Sequence, residues 1–210
     1  MKIPINNIVN YILFQTKKYN FDESHALNHA LDVLSFSKKI FDHEVINYPY
    51  LKKQQNIIFT SALVHDICDS KYRNENESIV ELKTFLIQNK YSEPDTNIII
   101  DIISKMSYHK IKQDGFPDLG QYQKAFHIVR ESDLLAAYDF NRAVLYGIYK
   151  QNLNYKTSFK KSKQLYENRM DKHISDNLFT TKYGLERAKI LNNEAKEYIS
   201  NIENLINNNT

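Results

Sequence analysis

Turn-forming residues are scarce in this chain, whose 210 residues include only four glycines and four prolines. A sheet of many strands needs a turn at the end of each strand, and glycine and proline are the residues that most turns use. Apolar residues instead recur at intervals of three and four, the spacing that places them on one face of a helix. The sequence therefore predicts an all-α protein.

The apolar periodicity and the helix-start signals divide the chain into a series of predicted helices. Asp22 is suited to cap the second helix, and Pro94 is suited to the first turn of the fifth. The region 151–182, rich in Lys, Asn, Ser and Tyr, is predicted to contribute least to the core and to form an exposed helical arm. The predicted helices cover about residues 5–18, 23–43, 50–67, 75–89, 94–107, 121–150, 156–175 and 183–206.

Charge and composition exclude some classes of partner and location. The chain has 28 basic and 25 acidic residues and a net charge of +3, so nothing in it calls for a nucleic acid or a membrane surface. No segment approaches the roughly 18 to 20 consecutive apolar residues of a membrane span. Cys68 is the single cysteine, which rules out an internal disulfide, and the N-terminal segment lacks a small-residue cleavage site. We expect an intracellular, cytoplasmic protein.

Two groups of residues in the first third of the chain could bind a metal ion. His25 and His29 are four residues apart and share a helical face, although such pairs also occur as surface or hydrogen-bonded core residues. His65 and Asp66 directly follow an apolar run, where an unpaired carboxylate would be costly to bury. A metal would remove that cost. The alternative is that Asp66 caps a turn and His65 bonds to a backbone carbonyl.

A third candidate lies in the segment AFHIVRESDLLAAYDF, residues 125–140. Asp133 interrupts an apolar helical pattern there and is followed by Leu, Leu, Ala and Ala. A buried aspartate needs a partner, which could be the cation of Arg130 three residues earlier or a metal shared with the histidines. The chain thus presents H, then HD, then D, in that order.

With these residues in order, the sequence resembles the HD superfamily of metal-dependent phosphohydrolases, in particular small stand-alone HD-domain proteins. The resemblance covers about residues 20–145 and rests on the elements HALDV, ALVHDICD and ESDLLAAYD. It implies an HD-domain helical bundle over residues 1–150, followed by a C-terminal helical extension over 151–210 that packs on the same domain.

The resemblance also implies a set of metal ligands. The first would be His29 rather than His25, because the apolar Val33 follows His29 by four residues, and the others would be His65, Asp66 and Asp133. Two imidazoles and two carboxylates suit a divalent ion such as Mn, Fe, Co, Ni or Zn, with Mg as a further candidate. His25 is left as a residue that supports these ligands or binds a second metal.

Other residues are candidates for catalysis and for substrate binding. Asp69 lies three residues after the aspartate of the HD pair, where some members have an acidic residue that acts as acid or base. Lys71, His109 and Arg130 are candidates to bind phosphoryl oxygens. The alternatives are that Lys71 and Arg130 are ordinary solvated or ion-paired charges and that His109 lies at a helix C-terminus.

The implied function is metal-dependent hydrolysis of phosphate esters, by attack of a metal-bound water on phosphorus. The substrate would be a nucleotide or another small phosphorylated metabolite. One alternative is a metal-binding helical interaction protein with little turnover, in which an apolar face of residues 151–210 serves self-association or a partner. Another is an HD-type diiron oxygenase, which would require more ligands. No stable nucleic-acid partner is implied, and a homo-oligomer is left open.

Overall fold

The structure, a computed structural model, describes residues 3–21 and 27–208. Within these residues the chain forms ten α-helices and no strand, so the all-α prediction is confirmed. The helices are α1 (Ile5–Lys18), α2 (Leu27–Asn47), α3 (Gln55–Val64), α4 (Glu75–Gln88), α5 (Glu93–Lys105), α6 (Tyr108–Asp114), α7 (Gln123–Ala136), α8 (Phe140–Tyr149), α9 (Tyr155–Asn168) and α10 (Lys182–Asn208). Short 3-10 helices cover Pro49–Gln54, Gly120–Tyr122 and Met170–Lys172.

Helix α3 is the centre of the bundle. Every residue from Ile57 to Val64 is buried, as expected for a helix that is apolar around its whole circumference. It packs against α1, α2, α5 and α7, while α2 and α7 also pack closely against each other. Helices α2 and α7 and the C-terminal end of α3 therefore lie side by side, and each contains one of the sequence elements that could bind a metal.

The predicted long helix over 121–150 is wrong, because the chain breaks between α7 and α8. The Asp139 carboxylate accepts a hydrogen bond from the backbone N–H of Asn141 at 3.1 Å and so caps α8. The predicted helix over 94–107 likewise ends at Lys105, and Ser107 caps the separate helix α6 by accepting from the N–H of Lys110 at 3.3 Å. His109 therefore lies near the start of a helix rather than at a C-terminus.

The third predicted helix also ends earlier than expected. Helix α3 stops at Val64, and the residues that follow form successive turns. The N–H of Ile67 donates to the Val64 carbonyl at 3.1 Å, and the N–H of Asp69 donates to the Asp66 carbonyl at 3.1 Å. Asp66 and Asp69 thus lie on turns, not on one face of a helix. We call residues 65–74 the motif loop.

The prediction of an exposed arm over 151–182 is wrong, because this region contributes large side chains to the core. Phe159, Tyr166 and Phe179 are all buried, and α9 packs along α8. The predicted helix over 156–175 is interrupted, since α9 ends at Asn168 and a 3-10 helix follows. Side chains that the composition suggested were solvated instead join the last third of the chain to the bundle.

A buried carboxylate holds the start of α10 against α7. Glu131 is fully buried, and its oxygens accept hydrogen bonds from the N–H and hydroxyl of Thr180, both at 2.7 Å. They also accept from the N–H of Thr181 at 3.2 Å and from its hydroxyl at 2.6 Å. A side chain at Gly184 would collide with this carboxylate, which explains a glycine in the first turns of α10.

Among the described helices, none is long and apolar enough to cross a membrane.

Candidate metal centre

Two buried imidazoles face each other between α2 and the motif loop. The Nε2 atoms of His29 and His65 are 3.1 Å apart, and their side chains are 1% and 3% exposed. His29 is in the first turns of α2, and His65 directly follows α3. Two unprotonated ring nitrogens at this distance would repel each other, so the arrangement calls for a proton or a cation between them.

Two carboxylates approach the same pair of nitrogens. Oδ1 of Asp133, on α7, lies 3.3 Å from Nε2 of His29 and 3.6 Å from Nε2 of His65. Asp66 lies 3.5 Å from His29 through Oδ2 and 3.3 Å from His65 through Oδ1. The side chain of Asp66 is 25% exposed and that of Asp133 is 27% exposed, so the carboxylates face solvent while the imidazoles are enclosed. The structure therefore brings together all the sequence-predicted ligands except His25, which lies outside the described residues.

The hydrogen bond at the back of His65 fixes which of its nitrogens faces the cluster. Nδ1 of His65 lies 2.9 Å from the Ala62 carbonyl, which can only accept, so Nδ1 carries a proton. Nε2 is then the nitrogen left to hold a second proton or a metal. A backbone carbonyl behind a histidine ligand is a common way to fix its orientation and tautomer. Nδ1 of His29 has no hydrogen-bond partner among the described residues.

Burial and the neighbouring charges shift the pKa values of the side chains in the cluster. Burial acts to lower the pKa of His65, but the charges of Asp66 and Asp133 and their hydrogen bonds outweigh it and raise that pKa well above its ordinary value. Burial acts to raise the pKa of Asp133, yet hydrogen bonds from both histidines hold that pKa well below its usual range. Burial lowers the pKa of His29. In the absence of a metal, these charges favour a proton on His65.

The donor atoms fit one metal ion. Ligands that bind a single first-row divalent ion at about 2.1 Å lie about 3.0 to 3.4 Å from one another. The separations measured from the two Nε2 atoms run from 3.1 to 3.6 Å, so the longest exceed this range by about 0.2 Å and would shorten slightly around an ion. Mixed imidazole and carboxylate donors suit the borderline divalent ions of the first transition row. His29, His65 and Asp133 thus form a cluster that can bind a metal ion, with Asp66 in contact with both of its imidazoles.

A cleft of about 610 Å³ opens over the carboxylate side of this cluster. His65, Asp66 and Asp133 lie in its lining, and so do the predicted residues Asp69, Lys71 and His109. Asp69 accepts from the backbone N–H of Lys71 at 2.9 Å through Oδ1, and its Oδ2 lies 3.3 Å from Nζ of Lys71. The side chain of Asp69 is 19% exposed and that of Lys71 57% exposed. An acid and a cation therefore lie beside the cluster in the same cleft.

The structure does not bring Arg130 to the cleft. Its side chain is 2% exposed, and Nη2 donates to the Leu178 carbonyl. Its guanidinium also lies 3.5 Å from Glu131 and 4.7 Å from the centre of the Phe116 ring. Since these contacts occupy Arg130 within the core, its predicted role in substrate binding is replaced by one in holding the segment before α10.

Other cations in the cleft have no counterpart in the sequence-based candidates. Lys110, Arg142 and Arg169 lie in the lining, as does Tyr108. The guanidinium of Arg169 lies 4.6 Å from the centre of the Tyr108 ring, and its Nε is buried without a hydrogen-bond partner among the described residues. No local pattern singles out Arg169, because it lies in a stretch of ordinary surface composition. Only the packing of the chain after α9 brings it to the site.

Comparison with known proteins gives a fold but no family. No family model matches the chain, and no curated protein matches it. The structure is similar to that of a Lactobacillus plantarum protein, with a TM-score of 0.67, 17% identity and 99% of each chain covered. It is also similar to Bacillus subtilis YpgQ in complex with ADP, with a TM-score of 0.62, 20% identity and coverage of 94% of this chain and 97% of that one. At these identities the likeness establishes a shared helical fold.

Proposed function

We propose that this protein is a metal-dependent phosphohydrolase of the HD superfamily that acts on a nucleotide or a similar small phosphorylated metabolite. One observation carries the proposal. Carboxylate oxygens of Asp66 and Asp133 lie 3.3 to 3.6 Å from the Nε2 atoms of His29 and His65, although the residues come from distant parts of the chain, and all of them except the enclosed His29 line a cleft. Burying two imidazoles against two carboxylates is costly for stability alone, which favours a role in binding a cation.

Different residues of the cleft would have different roles in the hydrolysis of a phosphate ester. A divalent ion held by the cluster would lower the pKa of water and neutralise charge on a phosphoryl group. Asp69 faces the cleft beside the cluster, where its carboxylate can accept a proton from the attacking water or return one to the leaving oxygen. Its hydrogen bond from the Lys71 backbone orients this carboxylate. Asp69 is thus the proposed acid or base.

Cationic groups on both sides of the cleft suit an anionic substrate. Lys71 and His109 are the sequence-based candidates, and Lys110, Arg142 and Arg169 add positive charge to the same cleft lining. Charge-assisted hydrogen bonds from such groups stabilise phosphoryl oxygens. Apolar side chains, including Ile103, Leu134 and Met170, supply surface for an uncharged part of the ligand. The ADP bound to YpgQ, which is similar in fold, supports the choice of a nucleotide.

Phosphate release tests the proposal. Metal-stripped protein would be resupplied separately with Mn, Co, Ni, Mg and Zn and assayed against a panel of nucleotides and sugar phosphates. Asp66→Ala serves as the inactive control, and Asp42→Ala, at an exposed surface aspartate, serves as the matched active control. Turnover with a particular metal that Asp66→Ala abolishes and Asp42→Ala retains would support the proposal. Bound metal without any turnover would support a metal-binding interaction protein instead.

A further inference from the structure

A charged side chain near the end of the motif loop is buried and does not belong to the cleft lining. Arg73 is 3% exposed, and its Nη1 donates to Oε1 of Gln15 at 2.9 Å and to Oε2 of Glu81 at 3.0 Å. Its guanidinium also lies over the ring of Tyr19, 4.1 Å from the ring centre. Gln15 belongs to α1 and Glu81 to α4, so one side chain joins the end of the motif loop to two helices.

Glu81 is shared by several donors around Arg73. Its carboxylate accepts from Nε2 of Gln15 at 3.3 Å and from the hydroxyl of Tyr19 at 3.4 Å, and it lies 3.5 Å from Nζ of Lys18. Gln15 itself is only 2% exposed. The side chain of Glu81 is 39% exposed and keeps these other donors, but loss of Arg73 would leave the buried Oε1 of Gln15 without the donor that it has here. An unpaired buried polar atom costs more than an exposed ion pair contributes.

The motif loop depends on such tertiary contacts because regular helix does not hold it. Its backbone forms successive turns, and Ile67 and Cys68 are its buried residues next to the HD pair. Near its end, the ring of Tyr72 stacks on Phe21 at 4.3 Å between ring centres. Arg73 adds the contacts to α1 and α4. Asp66, Asp69 and Lys71 all lie on the cleft side of this short segment.

We propose that Arg73, held by Glu81 and Gln15, is the positioning residue that fixes the motif loop and thereby the places of Asp66, Asp69 and Lys71. The effect of Arg73 on catalysis rests on the proposed function. Its effect on the position of the motif loop does not depend on that function. In this arrangement Arg73 touches no substrate. It acts through the loop, which it keeps at the distance from α2 and α7 that the metal cluster requires.

The single cysteine of the chain reports on the position of the loop without any assay of turnover. Cys68 lies on the motif loop, contributes to the cleft lining and is 9% exposed, so the rate of its alkylation by iodoacetamide should rise when the loop opens. We expect Arg73→Met to raise the alkylation rate at least about tenfold, the effect of losing one charge-assisted hydrogen bond. Arg73→Lys should restore part of the protection. Lys38→Met, which breaks an exposed ion pair with Asp42, should leave the rate unchanged.

Glu81→Gln separates the position of the loop from the effect of charge. It removes a negative charge where Arg73→Met removes a positive one, so a purely electrostatic effect on the thiol would change the two rates in opposite directions. Faster alkylation in both variants, with helical content retained, supports the proposal. Rates within twofold of wild type in both would overturn it. If Arg73→Met does not fold, Glu81→Gln and Arg73→Lys provide the same comparison.

Metal binding and turnover then distinguish this proposal from the function on which it rests. Mn²⁺ should slow alkylation of Cys68 in the wild type, because Asp66 lies on the same loop. Arg73→Met should lower kcat about tenfold and also raise KM, because Asp69 and the substrate-binding candidate Lys71 lie on the loop that it loosens. An unchanged kcat in a variant with faster alkylation would overturn the positioning role. Faster alkylation without phosphate release by any variant or wild type would leave the loop contact supported and the phosphohydrolase proposal overturned.

Discussion

The base and the wall of the cleft are built in different ways. The base consists of His65, Asp66 and Asp133, with the enclosed His29 in contact with them, and these residues lie on or directly after three helices that pack in the centre of the bundle. The wall includes Tyr108 on the short helix α6, Arg142 on α8 and Arg169 just after α9. The base is therefore part of the core, whereas the wall depends on how later segments pack over it.

This difference determines which residues of the cleft can be recognised from the sequence. A histidine or aspartate within an apolar helical pattern stands out, because burying it needs a partner. An arginine in a lysine-rich segment does not stand out, because the same residue is ordinary on a surface. The two parts of the cleft should also respond differently to substitution. Changes at the base should remove metal, and changes in the wall should weaken binding of substrate or loosen the last third of the chain.

The largest effect is expected at the base. His65→Ala and Asp66→Ala remove donor atoms, so we expect metal affinity to fall by more than about 100-fold, beyond the loss that supporting residues cause. Helical content should change little because His65 and Asp66 follow α3 rather than form it. Metal content after dialysis and circular dichroism measure the two quantities. His43→Ala, at an exposed histidine, is the control, and full metal occupancy in Asp66→Ala would contradict the ligand assignment.

Asp69→Asn separates chemistry from metal binding. It should lower kcat by about 10²- to 10⁴-fold, the usual contribution of a general acid or base, while metal content stays at the wild-type level. Steady-state kinetics with the best substrate of the panel measure the change. Asp101→Asn, on the exposed face of α5 beside Lys105, should be indistinguishable from wild type. A fully active Asp69→Asn variant would show that Asp69 is not the acid or base.

Glu131→Ala tests how much the contacts between Glu131 and the start of α10 contribute to the stability of the protein. The substitution leaves the buried Arg130 without its neighbouring charge and frees Thr180 and Thr181 from their hydrogen bonds. We expect the free energy of unfolding to fall by about 3 to 5 kcal/mol, as when a buried ion pair loses one partner. Urea denaturation measures it. Glu194→Ala, at an exposed position of α10, should change it by less than about 0.5 kcal/mol.

A smaller effect is expected in the wall. Arg169→Met should raise KM for an anionic substrate about tenfold, because it removes one charged hydrogen-bond donor, and should leave metal content unchanged. Arg187→Met, on α10 and outside the cleft lining, is the matched control. An unchanged KM for Arg169→Met would mean that the wall does not contact the charged part of the substrate.

The smallest effect is the release of a proton from His65 when a metal binds. The charges of Asp66 and Asp133 raise the pKa of His65, which favours a proton on its ring in the metal-free protein. Metal must displace that proton, so binding at pH 7 should release about one proton, and affinity should fall as the pH decreases. Calorimetry in buffers of different ionisation enthalpy measures the release. Binding without proton release would show that His65 is neutral before metal enters.

The sequence predicted the base better than the surrounding architecture. His29, His65, Asp66 and Asp133 lie together as the resemblance implied, whereas Arg130 and Glu131, which are buried on the same helix as Asp133, have structural contacts instead. The break at Asp139 and the cap of α6 at Ser107 each depend on a single capping hydrogen bond. The spacing of apolar residues gives no information about such bonds, so it did not predict these helix ends. Phe159 and Tyr166 lie among lysines and asparagines, so their burial depends on distant helices that a local pattern does not include.

Anomalous diffraction from crystals grown with Mn²⁺ tests the central claim most directly. We expect an anomalous peak within bonding distance of Nε2 of His29, Nε2 of His65 and a carboxylate oxygen of Asp133, with Asp66 beside it, and no such peak in Asp66→Ala crystals. A peak elsewhere in the protein, or none at the cluster at saturating Mn²⁺, would contradict the claim that these side chains form a metal centre.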